Sequence, residues 1–423
     1  MYFRKNSLFF AGFCSPLSNS LIGGVFFMLQ AKTEYGTIVT LASFTKKEIS
    51  SVKEKTQFFC PACQEPVIVK AGAKITPHFA HSSKSSCPAQ EGGEGGYHEK
   101  GKLLLYQWLR WQQLDVQLEA YLPAINQRPD ILVKLKNKTV AVEYQCARIP
   151  PTDVIKRNEG YHREGIVPIW ILGANRFNRR ERNEIRIDQF QLHFIHQFSA
   201  DFPLTLYFFC PDTLRFSSFQ DFYFTALQRA IGKMTIRKLN DMRFTDLFKT
   251  SFFSPQQLFQ VWKQEKRSFR IRPSRRVYGR ELAWNQWLYV NAIHRQSLPS
   301  IVYLPVSAQF RMITQPWDWQ SRICLEIIYP LASGETFSLQ RCMRVLRQHL
   351  RHSSLFPLMK STDNPVYQYL QLLQKLQIIK ETPSGHFIKQ KPFMFYEHIE
   401  AAIDGDSQLM DQLMLKQNMG MFH

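Results

Sequence analysis

Two strand-like runs joined by a short polar turn constrain this chain more than any other feature. Ile131–Leu135 and Thr139–Glu143 are β-branched and apolar, with Lys136-Asn137-Lys138 between them. Such a pair folds back as an antiparallel hairpin. Folding about Asn137 brings Asp130 beside Tyr144, between Glu143 and Gln145. Side chains alternate along a strand, so Glu143 and Gln145 share a face. Two carboxylates and an amide then converge at one end of the hairpin. Carboxylates are the hard oxygen ligands that Mg²⁺ prefers. A bound Mg²⁺ or Mn²⁺ activates water and neutralises phosphate charge in phosphodiester hydrolysis. The spacing therefore predicts a magnesium site on Asp130 and Glu143. Gln145 cannot act as a base, but it can orient water. The bland alternative for Pro129-Asp130 is ordinary turn chemistry.

The surrounding pattern predicts what carries the hairpin. Tyr97–Leu114 is apolar at helical spacing, and Val116–Leu122 reads as a strand. After the hairpin, a helix over Thr152–Glu164, capped by Thr152 or Asp153, precedes a strand over Val167–Leu172. This order describes a compact α/β domain. His98 and Lys102 lie one turn apart on the first helix, and Lys102 is a candidate contact for DNA. Glu94 or Glu99 could add a further ligand or base from the same helix. Arg157 and Tyr161, one turn apart on the later helix, can reach a phosphate or simply pack.

A second constellation lies upstream. Cys60-Pro-Ala-Cys63 is a C-x2-C knuckle, followed by His78-Phe-Ala-His81 and Cys87. Thiolates and imidazoles in pairs suit tetrahedral Zn²⁺, so a structural zinc site is expected, with five candidates for four positions. The other cysteines, Cys14, Cys146, Cys210, Cys324 and Cys342, are scattered. That distribution suits a reducing compartment better than a disulfide framework.

The chain holds 54 Lys and Arg against 34 Asp and Glu, a net charge of +20. Such an excess favours a polyanionic partner, above all nucleic acid, although anionic membranes and acidic proteins attract it too. Two basic runs stand out. Asn175–Arg186 includes Arg179 and Arg180, and Lys266–Arg280 includes Arg272 and Arg275 with aromatics interleaved. Arginines beside rings suit single strands, whose bases stack on aromatic faces. A solvated basic face is the plain alternative.

Length allows two or three domains. Residues 1–27 resemble a signal peptide only superficially, because Ser15-Pro16 and Ser18-Asn19-Ser20 interrupt the apolar run. Translation is expected to start at Met28. The expected parts are the extension 1–27, a strand–helix and zinc-type module over 28–92, the α/β domain over 93–200, a basic mixed connector over 201–281, and a mainly helical region over 282–423. The glycine-rich Glu91–Gly96 marks the hinge. Nothing after residue 27 is long and apolar enough to predict a membrane span.

The ordered combination of Met28-Leu-Gln-Ala, Phe59-Cys-Pro-Ala-Cys63, His78-Phe-Ala-His81, Glu94-x3-His98-x3-Lys102, Arg128-Pro-Asp130, Glu143-Tyr-Gln145 and Ile166–Gly173 resembles the CoiA-like competence proteins. The resemblance covers most of residues 28–175. It implies a middle domain of the PD-(D/E)XK nuclease type, that is, a restriction-endonuclease-like α/β core. It implies a cytoplasmic role in natural transformation, promoting recombination of incoming single-stranded DNA alongside the recombinase machinery. The family pattern ends Glu-x-Gln, as here. Many nucleases of the wider class carry a lysine at the Gln145 position, so the fold and the hydrolytic activity are separate expectations. The alternatives are a non-catalytic DNA-binding module on a degenerate nuclease fold and a restriction or defence endonuclease.

Overall fold

The computed structural model describes residues 28–41, 44–72, 77–81, 87, 95–272, 277–360 and 363–419. The extension 1–27, Glu94 and Arg275 lie outside them.

The N-terminal part is an antiparallel sheet with one helix. Its strands are β1 (Gln30–Thr33), β2 (Ile38–Thr40), β3 (Phe58–Phe59), β4 (Pro66–Lys70) and β5 (His78–His81), ordered β2-β1-β3-β4-β5. Between β2 and β3 runs α1 (Lys46–Lys55). Thr45 and Glu48 cap it reciprocally, satisfying two of the amides a helix start leaves open. A small core of Met28, Ala31, Leu41, Ile49, Phe58 and Phe79 holds this part together.

The next unit begins with α2 (Gly96–Trp111) and β6 (Asp115–Leu118), then the hairpin β7 (Ile131–Lys134) and β8 (Thr139–Gln145). After α3 (Pro151–Arg163) come β9 (Ile166–Gly173), the short hairpin β10 (Asn178–Glu181) and β11 (Glu184–Arg186), and β12 (Thr205–Cys210). A long hairpin, β13 (Arg215–Ala226) and β14 (Arg229–Lys238), completes one nine-stranded sheet ordered β10-β11-β14-β13-β12-β9-β8-β7-β6. Only β8–β9 and β9–β12 pair in parallel. Those central strands are continuous apolar runs because both faces are covered. On one face Leu105, Trp108 and Leu109 of α2 pack on Ile131, Val133, Val140 and Val142. On the other, Tyr161 of α3 packs on Leu132 and Ala141.

Three local expectations change. Pro150 is the cap of α3 and Pro151 its first residue, so neither Thr152 nor Asp153 caps it. Proline suits that place because its missing N–H would be unpaired there anyway. Leu192–Ile195, apolar enough in sequence to predict a strand, is instead largely a 3-10 turn over Gln191–Phe194. The long hairpin β13–β14 was not anticipated, and the division expected between residues 200 and 201 falls inside the sheet it completes.

The C-terminal part carries α4 (Pro255–Ile271), α5 (Gly279–Val290), α6 (Pro316–Arg322), α7 (Leu339–Val345), α8 (Pro365–Lys375) and α9 (Ile399–Met419). It also holds a three-stranded antiparallel sheet of β15 (Thr336–Ser338), β16 (Ile379–Glu381) and β17 (His386–Lys389). Trp262, Trp284, Trp319 and Tyr369 are fully buried there. The whole is a mixed α/β protein. None of its described helices is long and apolar enough to cross a membrane.

Candidate functional site

The β7–β8 register pairs Ile131 with Val142 and Lys134 with Thr139. Leu135 N–H closes the turn on Lys138 O at 2.8 Å. The two central turn residues are therefore Lys136 and Asn137, and Asp130 continues the register opposite Glu143 rather than Tyr144. The expected fold about Asn137 is one position out, because the loop is a two-residue one. Tyr144 still reaches Asp130 through its backbone: its N–H donates to Oδ2 at 2.8 Å.

Asp130 is met from the helix side by α2. His98 Nε2 lies 3.3 Å from Oδ2, and Lys102 Nζ lies 3.8 Å from Oδ1. The two sit one turn apart, so both face the hairpin, as their spacing predicts. Burial alone would raise the Asp130 pKa. The His98 ring, the Lys102 ammonium and the Tyr144 amide outweigh it and hold the carboxyl well below its usual range. His98 also stacks on the Tyr144 ring, 5.6 Å between centroids and 13° from parallel. Gly101 permits that approach, since a Cβ there would stand 2.0 Å from Tyr144 Cε1.

Lys102 is 3 % exposed and held by carboxylates, at 3.0 Å from Glu99 and 2.5 Å from Glu119. It does not face solvent as a contact for DNA. A buried ammonium needs such compensation. Glu119 escaped the sequence reading. It sits just past β6 with nothing local to mark it. Its other oxygen accepts the Leu29 N–H at 3.0 Å, tying the N-terminal part to this site. Glu99, the fallback for Glu94, is likewise buried and engaged with Lys102.

Glu143 is gripped from the opposite face. Arg157 Nη2 lies 2.5 Å from Oε1 and Nε 3.2 Å, while the Tyr161 hydroxyl donates to the same oxygen. Arg157 and Tyr161, expected as phosphate contacts, thus turn inward. Burial pushes the Glu143 carboxyl up to about 7, with Arg157 pulling against it and the nearby Asp130 charge adding to it. Gln145 donates to Ala147 O at 3.0 Å, near its own strand end. The donors fit Mg²⁺ chemically. Asp130 stays ionised, and the field of its charge reaches Glu143. Two carboxylates completed by water are a common magnesium set. Arg157 is the competitor that a cation would have to displace or share.

The upstream cluster resolves its own ambiguity. Ligand atoms of Cys60, Cys63, His81 and Cys87 all lie within 4.8 Å of one another. Cys60 and Cys87 sulfurs are 3.8 Å apart, and Cys63 Sγ is 3.9 Å from His81 Nε2. Three thiols and one imidazole can hold a metal ion. His78 is outside this group. It stands three residues from His81 along β5, and an odd step along a strand points to the other face.

The two basic runs divide. Arg179 and Arg180 are exposed on β10, with the Arg179 guanidinium donating to Glu181 O and Arg182 O of its own hairpin. Arg272 follows α4 and is also exposed. Lys266 and Arg270, in the same run, are instead buried. Both pair with Asp406 of α9. That part of the run is an internal clamp rather than a DNA path.

Comparison with known proteins follows this order of parts. A model for the N-terminal domain of competence protein CoiA matches residues 41–90. One for its nuclease-like domain matches 94–252, and one for its C-terminal domain matches 258–403. A protein of Bacillus subtilis (strain 168) described as competence protein CoiA is 28% identical over 352 residues, which cover 80% of this chain and 91% of that protein. No solved structure matches the chain.

Proposed function

This chain belongs to the CoiA-like competence protein family, and we propose that it acts on incoming DNA during natural transformation, through Mg²⁺-dependent phosphodiester hydrolysis at Asp130 and Glu143. The observation that carries this reading is the hairpin register, which brings both carboxylates to one end of β7–β8. His98, Lys102 and the Tyr144 amide keep Asp130 ionised at any physiological pH. The nuclease-like family match over the same strands supports a restriction-endonuclease-like core.

In this reading Asp130 and Glu143 hold the divalent cation, Mg²⁺ or Mn²⁺. When bound, such an ion lowers the pKa of water and offsets charge on the phosphate. The chain's own residues do the rest. His98 and Lys102 orient Asp130. Arg157 and Tyr161 fix the Glu143 rotamer. Gln145 can orient water by hydrogen bonding but cannot remove its proton. The Cys60, Cys63, His81, Cys87 cluster binds structural zinc. The substrate is single-stranded DNA in the cytoplasm, handed on to the recombinase machinery.

The Arg157 and Tyr161 hold on Glu143 favours a second reading, in which the nuclease-like unit grips DNA without cutting it. Cleavage of labelled single- and double-stranded DNA with Mg²⁺ or Mn²⁺ separates the two, comparing the wild type with Asp130→Ala. The hydrolytic reading expects cleavage that the variant loses by about a hundredfold or more. Equal cleavage in both, or none in either, leaves the gripping module.

A further inference from the structure

Two basic runs far apart in sequence form facing walls of one cleft. Arg180 and Arg186 come from the β10–β11 hairpin, Arg272 from the end of α4, and Arg229 from the start of β14. The cavity is about 920 Å³. Its floor is apolar: Phe269 and Trp317 pack at 5.2 Å between ring centroids. Arg229 is offset by Glu265. Arg186 is not, because its guanidinium donates to the neutral amide oxygen of Gln228, at 2.9 and 2.7 Å. Arg272 lies 3.8 Å from Glu281 and remains 45 % exposed, too open for that pair to cancel its charge.

The cleft does not end there. A cavity of about 230 Å³ shares Leu227, Gln315 and Trp317 with it and adds Tyr278 and Arg280, together with two carboxylates, Glu281 and the Arg322-paired Asp318. A third, about 780 Å³, shares Arg272 and adds Tyr289 and Arg295. Tyr278 is 74% exposed and Tyr289 85%. Both rings therefore stand bare beside Arg272, Arg280 and Arg295. The result is a concave track with cations on its walls, apolar floor and bare rings along it.

We infer that this track binds a single strand of DNA, with phosphates on Arg180, Arg186 and Arg272 and bases against Tyr278 and Tyr289. The inference rests on the reading that the chain acts on DNA and adds where the strand lies. A mononucleotide would need one pocket, not three in series. A duplex presents its phosphates on a convex surface and keeps its base faces stacked, so neither the concavity nor the rings would serve it. Arginine with stacking rings is what a single strand uses.

The test is fluorescence anisotropy of labelled oligo-dT with the full chain, across a salt series. Arg180→Glu with Arg186→Glu should weaken binding by roughly tenfold or more and flatten the salt dependence by about 1–2 in slope. Tyr278→Ala with Tyr289→Ala should weaken it by roughly fivefold or more with the slope unchanged. Among the described residues, the side chains of Arg180, Tyr278 and Tyr289 make no hydrogen bond and Arg186 bonds to the Gln228 amide, and matched thermal melts check that the variants stay folded. Wild-type binding with both pairs of variants unchanged overturns the track and leaves DNA binding elsewhere. No wild-type binding overturns the DNA reading and the track together. Polyglutamate competing as well as the strand at equal charge overturns the single-strand assignment.

Discussion

Glu119 accepts a hydrogen bond from Lys102 at 2.5 Å while its other carboxylate oxygen takes the Leu29 N–H at 3.0 Å. One buried side chain therefore joins β6, α2 and the entry to β1. Glu119→Ala would leave Lys102 with Glu99 and Asp130, and the Leu29 amide without its acceptor. The expected loss is about 3 kcal/mol, near the low end for breaking a buried pair because Glu99 remains. Glu119→Gln keeps an acceptor for Leu29 and should lose about half as much. Urea denaturation followed by circular dichroism measures both. A Glu119→Ala protein as stable as wild type would show that this junction does not hold.

Gly101 offers a test whose sign runs against helix propensity. Alanine normally stabilises a helix interior by up to about 1 kcal/mol over glycine. Here its Cβ would meet Tyr144 at 2.0 Å, inside the core. Overpacking of that kind typically costs about 1–3 kcal/mol, so Gly101→Ala should lower the melting temperature. It should also disturb the Tyr144 amide that holds Asp130. At Gly96, in the same helix, an added Cβ meets nothing within 4 Å, and Gly96→Ala should be neutral or stabilising. If both variants melt above wild type, the close packing of α2 on Tyr144 is wrong.

What the sequence disclosed, it disclosed through local spacing. The β7–β8 hairpin was readable because its runs are adjacent and its turn is polar. The Cys60–Cys63 knuckle was readable for the same reason, whereas choosing between His78 and His81 required the strand face. Long-range partners left no local mark. Arg270 and Asp406 stand 136 positions apart, so a buried ion pair looked like half of a basic surface. Lys102 was misplaced likewise, since neither Glu119 nor Asp130 is its neighbour in the chain. The β13–β14 hairpin hid because Phe216 packs on one face of the sheet and Phe219, Phe222 and Phe224 on the other, with a register shift between Gln220 and Tyr223, so no two-residue period shows.

The Cys/His cluster predicts a selective response to mutation. Purified protein should carry about one zinc ion per chain, as three thiolates and an imidazole complete a tetrahedral set. Cys60→Ser and Cys87→Ser should lose the metal and the fold of the N-terminal part, because metal binding there is folding energy. His81→Ala should bind it weakly. His78→Ala should keep it in full, despite lying in the same short strand. Elemental analysis after dialysis decides this, and zinc lost from His78→Ala but retained by His81→Ala would reverse the assignment.

Glu143 should make stability fall as pH rises through neutrality. Its carboxyl moves from an ordinary value of 4.5 to about 7 on burial. The folded protein therefore prefers the protonated form more than the unfolded chain does. That contribution is complete below about pH 4.5 and is lost as pH passes about 7. It corresponds to up to about 3 kcal/mol, reduced by whatever Arg157 recovers once the carboxylate forms. Asp130 works in the opposite sense. Its lowered pKa contributes stability above the ordinary aspartate range, and that stability is lost only as pH falls further into acid. The two are separable because their windows do not overlap. Urea midpoints measured in Mg²⁺-free buffer between pH 5 and 8 should decline for wild type and decline less for Glu143→Gln, which stays neutral and keeps an acceptor for Tyr161. Asp130→Asn should flatten the acid limb and move that decline to lower pH, because the Asp130 charge helps hold the Glu143 carboxyl up. Parallel curves for wild type and Glu143→Gln from pH 5 to 8 would mean that Glu143 is ionised throughout, with Arg157 and Tyr161 fully compensating its burial.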